Sequence, residues 1–197
     1  MQSVPAHRIA DFDANVGVRE FPGVAGILEV IENRRAEHGP TALYSAAAFA
    51  GQMGARMRRV VAAVIERGDR RLLIGQRRKD DSSALKWEFA GGKVREGETL
   101  EEALARELKE ELGATLEKSR EIALVRHQYA NYPEELEIHF FAAQIADGEL
   151  TPRCFEQVAW VLPKELAQYD FLAANRELIA HLATGKIKAA EILAVTP

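Results

Sequence analysis

Residues 91–114 read GGKVREGETLEEALARELKEELGA, a glycine-rich turn running into a helix that the sequence itself starts and stops. Thr99 with Glu102 makes a capping box, and Gly113 supplies the stop. Between them Leu100, Leu104, Leu108 and Leu112 recur at helical spacing, so the segment must bury one apolar stripe against something flat. β runs surround it. RVVAAVIERGDRRLLIGQRR reads as two strands hairpinned about Gly68 and Asp69, a short WEFA follows, and EIALVRHQYAN, LEIHFFAAQIA and FEQVAWVL continue the pattern. Further helices are predicted at PKELAQ and AANRELIAHLAT, and the tail GKIKAAEILAVTP reads as a last strand or an ordered arm. One central and one late helix around a strand-rich middle describe an α/β fold, a mixed sheet held between helices.

The helix carries an unusual load of acid. Glu107, Glu110 and Glu111 stand at i, i+3 and i+4 and share roughly a 100° arc that overlaps the edge of the leucine stripe. Carboxylates this close repel one another, and at the margin of a core water cannot fully screen them. A charged helix alone is usually just a solvated face. Here the preceding turn adds backbone oxygens, and its glycines let main chain come close to an ion. Hard oxygen donors in a partly dry cleft suit Mg²⁺ or Mn²⁺, which bind through a few carboxylates plus substrate phosphates. Arg106 is placed to pair with Glu98 across the turn, locking loop to helix.

Composition narrows the partners. The 197 residues are 47% hydrophobic and 28% charged, enough for one good core with an appended segment. A formal net charge of -4 argues against coating a nucleic-acid polymer or an anionic membrane through the overall field. The single cysteine, Cys154, excludes an internal disulfide framework, and no apolar run approaches a membrane span, so a cytoplasmic setting is expected.

Read from Gly92, the order is Gly, five residues, Glu98, seven residues, Arg106-Glu107-Leu108, one residue, Glu110-Glu111, one residue, Gly113 and Ala114. This resembles the Nudix box with every fixed polar position filled; Ala114 is smaller than the usual last residue. The similarity covers about residues 59–184, and VVAAVIERGDRRLLIGQRR, WEFAGGK and EQVAWVLPKELAQYDFLAANRELIAHL look like the MutT-type nucleoside triphosphate diphosphatases and their cytidine-directed relatives. The resemblance implies a Nudix α/β/α sandwich with a mixed β-sheet over 59–197, preceded by an N-terminal helical extension over 1–58. It implies metal-dependent cleavage of a nucleoside triphosphate to a monophosphate and pyrophosphate. By the same resemblance Glu107, Glu110, Glu111 and the Gly91 carbonyl are the metal ligands, with Arg106 and Glu98 in the catalytic set. Arg77 matches a substrate-contacting arginine, and Lys93 is a neighbour of the phosphates. Many members place a further acid where this chain has Cys154; Glu156, two positions on, is the candidate to stand in for it.

Asn175 lies in register with the asparagine that reads 8-oxoguanine in MutT-type members, and Phe89 falls in the nucleobase pocket on the same analogy. Oxidised guanine offers N7–H beside the O6 acceptor, which one amide can satisfy, whereas ordinary guanine offers two acceptors. Asn175 is equally placed to cap the last helix. WEFAGGK resembles the cytidine-directed branch, so 8-oxo-dGTP is the leading substrate and CTP, dCTP or 5-methyl-dCTP the alternative, with a nucleotide-sensing regulator as a third reading. In the extension, GVAGILEVIENRRAEHG and TALYSAAAFAGQMGARM read as helices. Their apolar residues need a packing partner, for which a second copy of the chain, a homodimer, is expected. Met53 and Met57 stand just ahead of the first catalytic-domain strand, which makes an upstream start codon the expected origin of the extension.

Overall fold

The computed structural model describes residues 18–20, 28–31, 57–129, 132 and 134–194. Its centre is β3 (Met57–Ile65), whose Val61, Ala63 and Ile65 enter one apolar cluster and whose Ala62 and Val64 enter another. A strand buried on both faces needs cover on both sides, and that requirement sets the layers. β3 runs parallel to β8 (Glu135–Ile145), in register from Met57↔Glu135 to Ile65↔Ala143, and antiparallel to β6 (Gly91–Lys93). β8 pairs antiparallel with β7 (Leu116–His127), and beyond β7 lie β2 (Leu28–Ile31), parallel to it, and β1 (Val18–Glu20). These make a mixed six-stranded sheet in the order β1-β2-β7-β8-β3-β6. A three-stranded antiparallel sheet, β5-β4-β9, joins β5 (Trp87–Glu88), β4 (Leu72–Arg77) and β9 (Phe155–Val161).

α1 (Leu100–Leu112) covers one face, burying Ala103, Leu104, Leu108 and Leu112 beside Val61, Ala63 and Phe141. α2 (Arg176–Ala183) and α3 (Ala189–Ala194) cover the other, with Leu178, Leu182 and Leu193 in one cluster with Phe140 and Ile122. The result is the expected α/β/α sandwich. Each fully buried leucine of α1 contributes about 1.5–3 kcal/mol, so the helix is anchored more by this stripe than by its caps. No helix among the described residues is long and apolar enough to cross a membrane.

Three local expectations change. Helix was expected over residues 23–39, but Leu28–Ile31 is a strand, because the free edge of β7 offers ladder partners that a short isolated helix cannot match. The second extension helix lies outside the described residues apart from Met57, which opens β3. β3 and β4 do not form a hairpin ladder; they meet in the bridge Glu66↔Leu72 and diverge into separate sheets, since β3 takes β8 and β6 as neighbours. The tail is neither strand nor arm. Ala189–Ala194 is helical, as its run of Ala, Leu and Glu favours. It is tied down at both ends: Ala190 N–H donates to Glu66 Oε2 at 3.0 Å, and Lys118 and Arg120 donate to the carbonyls of Leu193 and Ile192.

Candidate active site

The acidic helix is registered by its cap. Thr99 Oγ1 accepts from the Glu102 N–H at 3.2 Å and the Thr99 N–H donates to Glu102 Oε2 at 2.9 Å, which fixes where every later residue of α1 points. Gly113 closes the helix at φ 68°, a left-handed conformation that costs glycine little. The acidic arc therefore faces β6, the edge strand made by the glycine turn. Alternation along the β3–β6 ladder, with Ala63 N–H on the Ala90 carbonyl and Val94 N–H on the Arg59 carbonyl, turns the Gly91 N–H and carbonyl away from β3. Gly91 N–H is found on Glu111 Oε2 at 2.9 Å. Next to it, a Cβ built on Gly92 would lie 2.5 Å from the Glu107 carboxylate, so only glycine leaves room for that acid.

Arg106 organises the remaining acids. Its Nε and Nη2 donate to the two oxygens of Glu98 at 2.6 and 2.9 Å, Nη1 donates to Glu107 at 2.7 Å and to Glu110 at 3.3 Å, and Nη2 also reaches the Lys93 carbonyl at 3.0 Å. The expected Glu98–Arg106 pair is thus present, and it is a two-pronged one. The guanidinium, helped by the Arg95 N–H, holds the Glu98 carboxyl down at about 2. Arg95, which the sequence reading passed over, adds a second cation on Glu110 at 3.2 Å.

Glu111 is different. Burial pushes its carboxyl up to about 8, the Gly91 N–H opposing the rise and the neighbouring Glu88 and Glu107 adding to it. Its charge is penalised, and hard cationic ligation would relieve it. Among the described residues no three acidic, His or Cys side chains already enclose a metal-sized space; Arg106 and Gly91 N–H hold the acids instead. The donor set itself, carboxylate oxygens around a desolvated Glu111 beside an outward-facing backbone carbonyl, fits a hard divalent cation.

Beside this cluster opens a cavity of about 650 Å³. Gly91, Gly92, Lys93, Glu88 and Arg77 line it, and so do Phe89, Leu172, Ala174 and Asn175. Phe89 is buried, packed edge-on to Phe140 and tilted against Phe171. Lys93 Nζ sits 5.4 Å from the centre of the Tyr132 ring. Asn175 is 5% exposed, and its Nδ2 has no hydrogen-bond partner among the described residues. It makes no side-chain cap to α2, which removes the capping explanation for an asparagine here.

Of the predicted residues, Glu98, Arg106, Glu107, Glu110, Glu111 and Gly91 meet at one place, while Arg77, Lys93, Phe89 and Asn175 line the adjoining cavity. Glu156 is exposed on β9, and no hydrogen bond or ion pair among the described residues ties it to the cluster. Cys154 is nearer: burial raises its thiol above the ordinary value and Glu111, Glu107 and Glu110 raise it further, so it stays protonated at neutral pH. Glu88 was missed. It alternates with the buried Trp87 and Phe89, so strand geometry turns it away from their side of the sheet, and an acid inside WEFA was the available signal. Burial raises its carboxyl, opposed by Arg77.

The family model of the NUDIX domain matches residues 56–182. The CTP pyrophosphohydrolase of Escherichia coli strain K12 is 37% identical over 129 residues, covering 63% of this chain and 90% of that protein. The 8-oxo-dGTP diphosphatase of the same strain is 30% identical over 124 residues, covering 62% and 94%. The crystal structure of a MutT NUDIX hydrolase from Burkholderia pseudomallei superposes with a TM-score of 0.57 at 30% identity, covering 64% of this chain and 97% of that one. The matched span takes in the glycine turn, the capped glutamate helix and the cavity beside them, and on that ground the chain belongs to the NUDIX family of hydrolases.

Proposed function

We propose that the protein hydrolyses a nucleoside triphosphate to the monophosphate and pyrophosphate with Mg²⁺ or Mn²⁺, and that 8-oxo-dGTP is its preferred substrate. Glu107, Glu110, Glu111 and the Gly91 carbonyl would hold the cation, which when bound neutralises phosphate charge and lowers the pKa of an attacking water. Arg106 and Glu98 keep the glycine turn docked on α1, so the acids and the turn stay in one frame. Arg77 and Lys93 supply positive charge along the cavity wall where a polyphosphate would lie. Free nucleotides are the substrate class, which puts the work in the cytoplasm.

The observation that carries this reading is the buried Nδ2 of Asn175 in the cavity lining, without a hydrogen-bond partner among the described residues. A buried donor left unpaired costs about 1–3 kcal/mol, and a base that accepts from it recovers that loss. With O6 as acceptor and N7–H as donor, 8-oxoguanine satisfies both ends of the amide. Cytosine does so too, through N3 and its amino group, and the 37% identity to a protein named CTP pyrophosphohydrolase favours it as the second reading. Pyrophosphate release from 8-oxo-dGTP, dGTP, dCTP and 5-methyl-dCTP decides between them. The first reading expects the highest kcat/KM on 8-oxo-dGTP; a large excess for either cytosine nucleotide overturns it. No release from any of the four, with Mg²⁺ or Mn²⁺ supplied, removes the hydrolytic proposal in favour of a sensor.

A further inference from the structure

Arg77 and Glu88 face each other across the small sheet. In the β4–β5 ladder Gly75 stands opposite Glu88, so Arg77, two residues on, is its diagonal neighbour on the same face. The β4–β9 ladder shifts register between Gln76 and Arg77, a bulge of the kind that re-aims a side chain at a strand end. Arg77 Nη1 then donates to both oxygens of Glu88 at 3.0 and 3.1 Å, while its Nε donates to the Ser82 carbonyl at 2.9 Å. Both side chains are about one-fifth exposed, at 22% and 19%, and both line the cavity beside Gly91 and Gly92.

We propose that Glu88 is a positioning residue: it holds the Arg77 guanidinium on the cavity wall in the orientation that meets the substrate's polyphosphate. The proposal rests on the polyphosphate reading given above. An arginine has five donors in a rigid fork, so holding Nη1 on Glu88 and Nε on the Ser82 carbonyl fixes the plane of the group and leaves Nη2 for the phosphates. Asp81 lies 3.8 Å from that Nη2, near enough to bias it and too far for a hydrogen bond. Without Glu88 the side chain keeps its charge and loses its aim. The expected consequence is weaker polyphosphate capture with little change in the chemical step.

A double-mutant cycle over Arg77→Ala and Glu88→Gln tests this, read by calorimetric binding of tripolyphosphate with Mg²⁺ present and by steady-state pyrophosphate release. Glu88→Gln should weaken tripolyphosphate binding and raise KM about tenfold, the scale of one lost charge-assisted contact, with kcat within about threefold. In the Arg77→Ala background it should add nothing. Glu88→Asp, which keeps the charge, should recover part of the loss and also serves if the glutamine variant does not fold. Additive effects, or a fall in kcat at unchanged KM, overturn the proposal. If the wild type prefers dCTP, the reading of the base fails while the cycle runs unchanged on dCTP; if it binds no tripolyphosphate, the polyphosphate reading falls and this proposal with it.

Discussion

The buried carboxyl of Glu111 costs the fold stability as pH rises. A carboxyl raised to about 8 in the folded state contributes stability that is complete below its unfolded value, about 4.3, and that is lost as pH climbs through about 8. Glu111→Gln removes that loss. At pH 8 without divalent cation the variant should melt at a higher temperature than wild type, and its turnover should fall by about a hundredfold or more. Equal melting temperatures would mean that the carboxyl is not desolvated as the structure has it. His139 acts in the same sense through a different cause. Burial acts to lower it, but Glu121 at 2.7 Å and Glu137 at 3.3 Å win and raise it above its ordinary value. A raised histidine stabilises fully below about pH 6.5 and loses that contribution as pH rises past its folded value. The melting temperature of wild type should therefore exceed that of His139→Gln by more at pH 6 than at pH 9, measured by scanning calorimetry.

At the scale of the element, α1 is asked both to pack and to present acids, and the two tasks use different faces of one register. Leu108→Ala removes a side chain buried beside Val61 and Phe141 and should cost about 2–5 kcal/mol in denaturant unfolding. Thr99→Ala removes the cap and should cost about 1 kcal/mol. If turnover depends on the register that the cap sets, Thr99→Ala will also lower kcat where an exposed change such as Glu101→Ala does not. Much of this element could be read from sequence, because everything that defines it is local: cap, stop, leucine stripe and acidic arc lie within 15 residues, from Thr99 to Gly113. Glu98 with Arg106 was readable for the same reason. β4, β5 and the tail were harder. Which sheet a strand joins depends on its neighbours, so the hairpin expected about Gly68 became two strands in separate sheets, and the helix Ala189–Ala194 gave only a short, ambiguous apolar pattern.

The molecule as a whole is two apolar layers divided by one mixed sheet, with the reactive groups gathered where β6 and α1 meet at the sheet's edge. Glu88 escaped the sequence because its significance is tertiary, resting on a ladder and a bulge, whereas Asn175 was legible as a candidate and only its burial and its lack of a partner among the described residues needed the fold. Asn175 lines the same 650 Å³ cavity as Gly91 and Gly92, the turn that touches the acid cluster, and a nucleotide of the proposed kind would bridge the two. The central claim is that Glu107, Glu110 and Glu111 grip a divalent cation so that a nucleoside triphosphate can be split. Its most direct test is a Mn²⁺ titration followed by calorimetry with 8-oxo-dGTP and dCTP each present, in wild type and in the triple Glu→Gln variant at those positions. The account predicts saturable cation uptake by the wild type, with pyrophosphate release rising in step, and neither in the variant. Cation uptake and release that survive the triple replacement, or a wild type that takes up no cation, would contradict it.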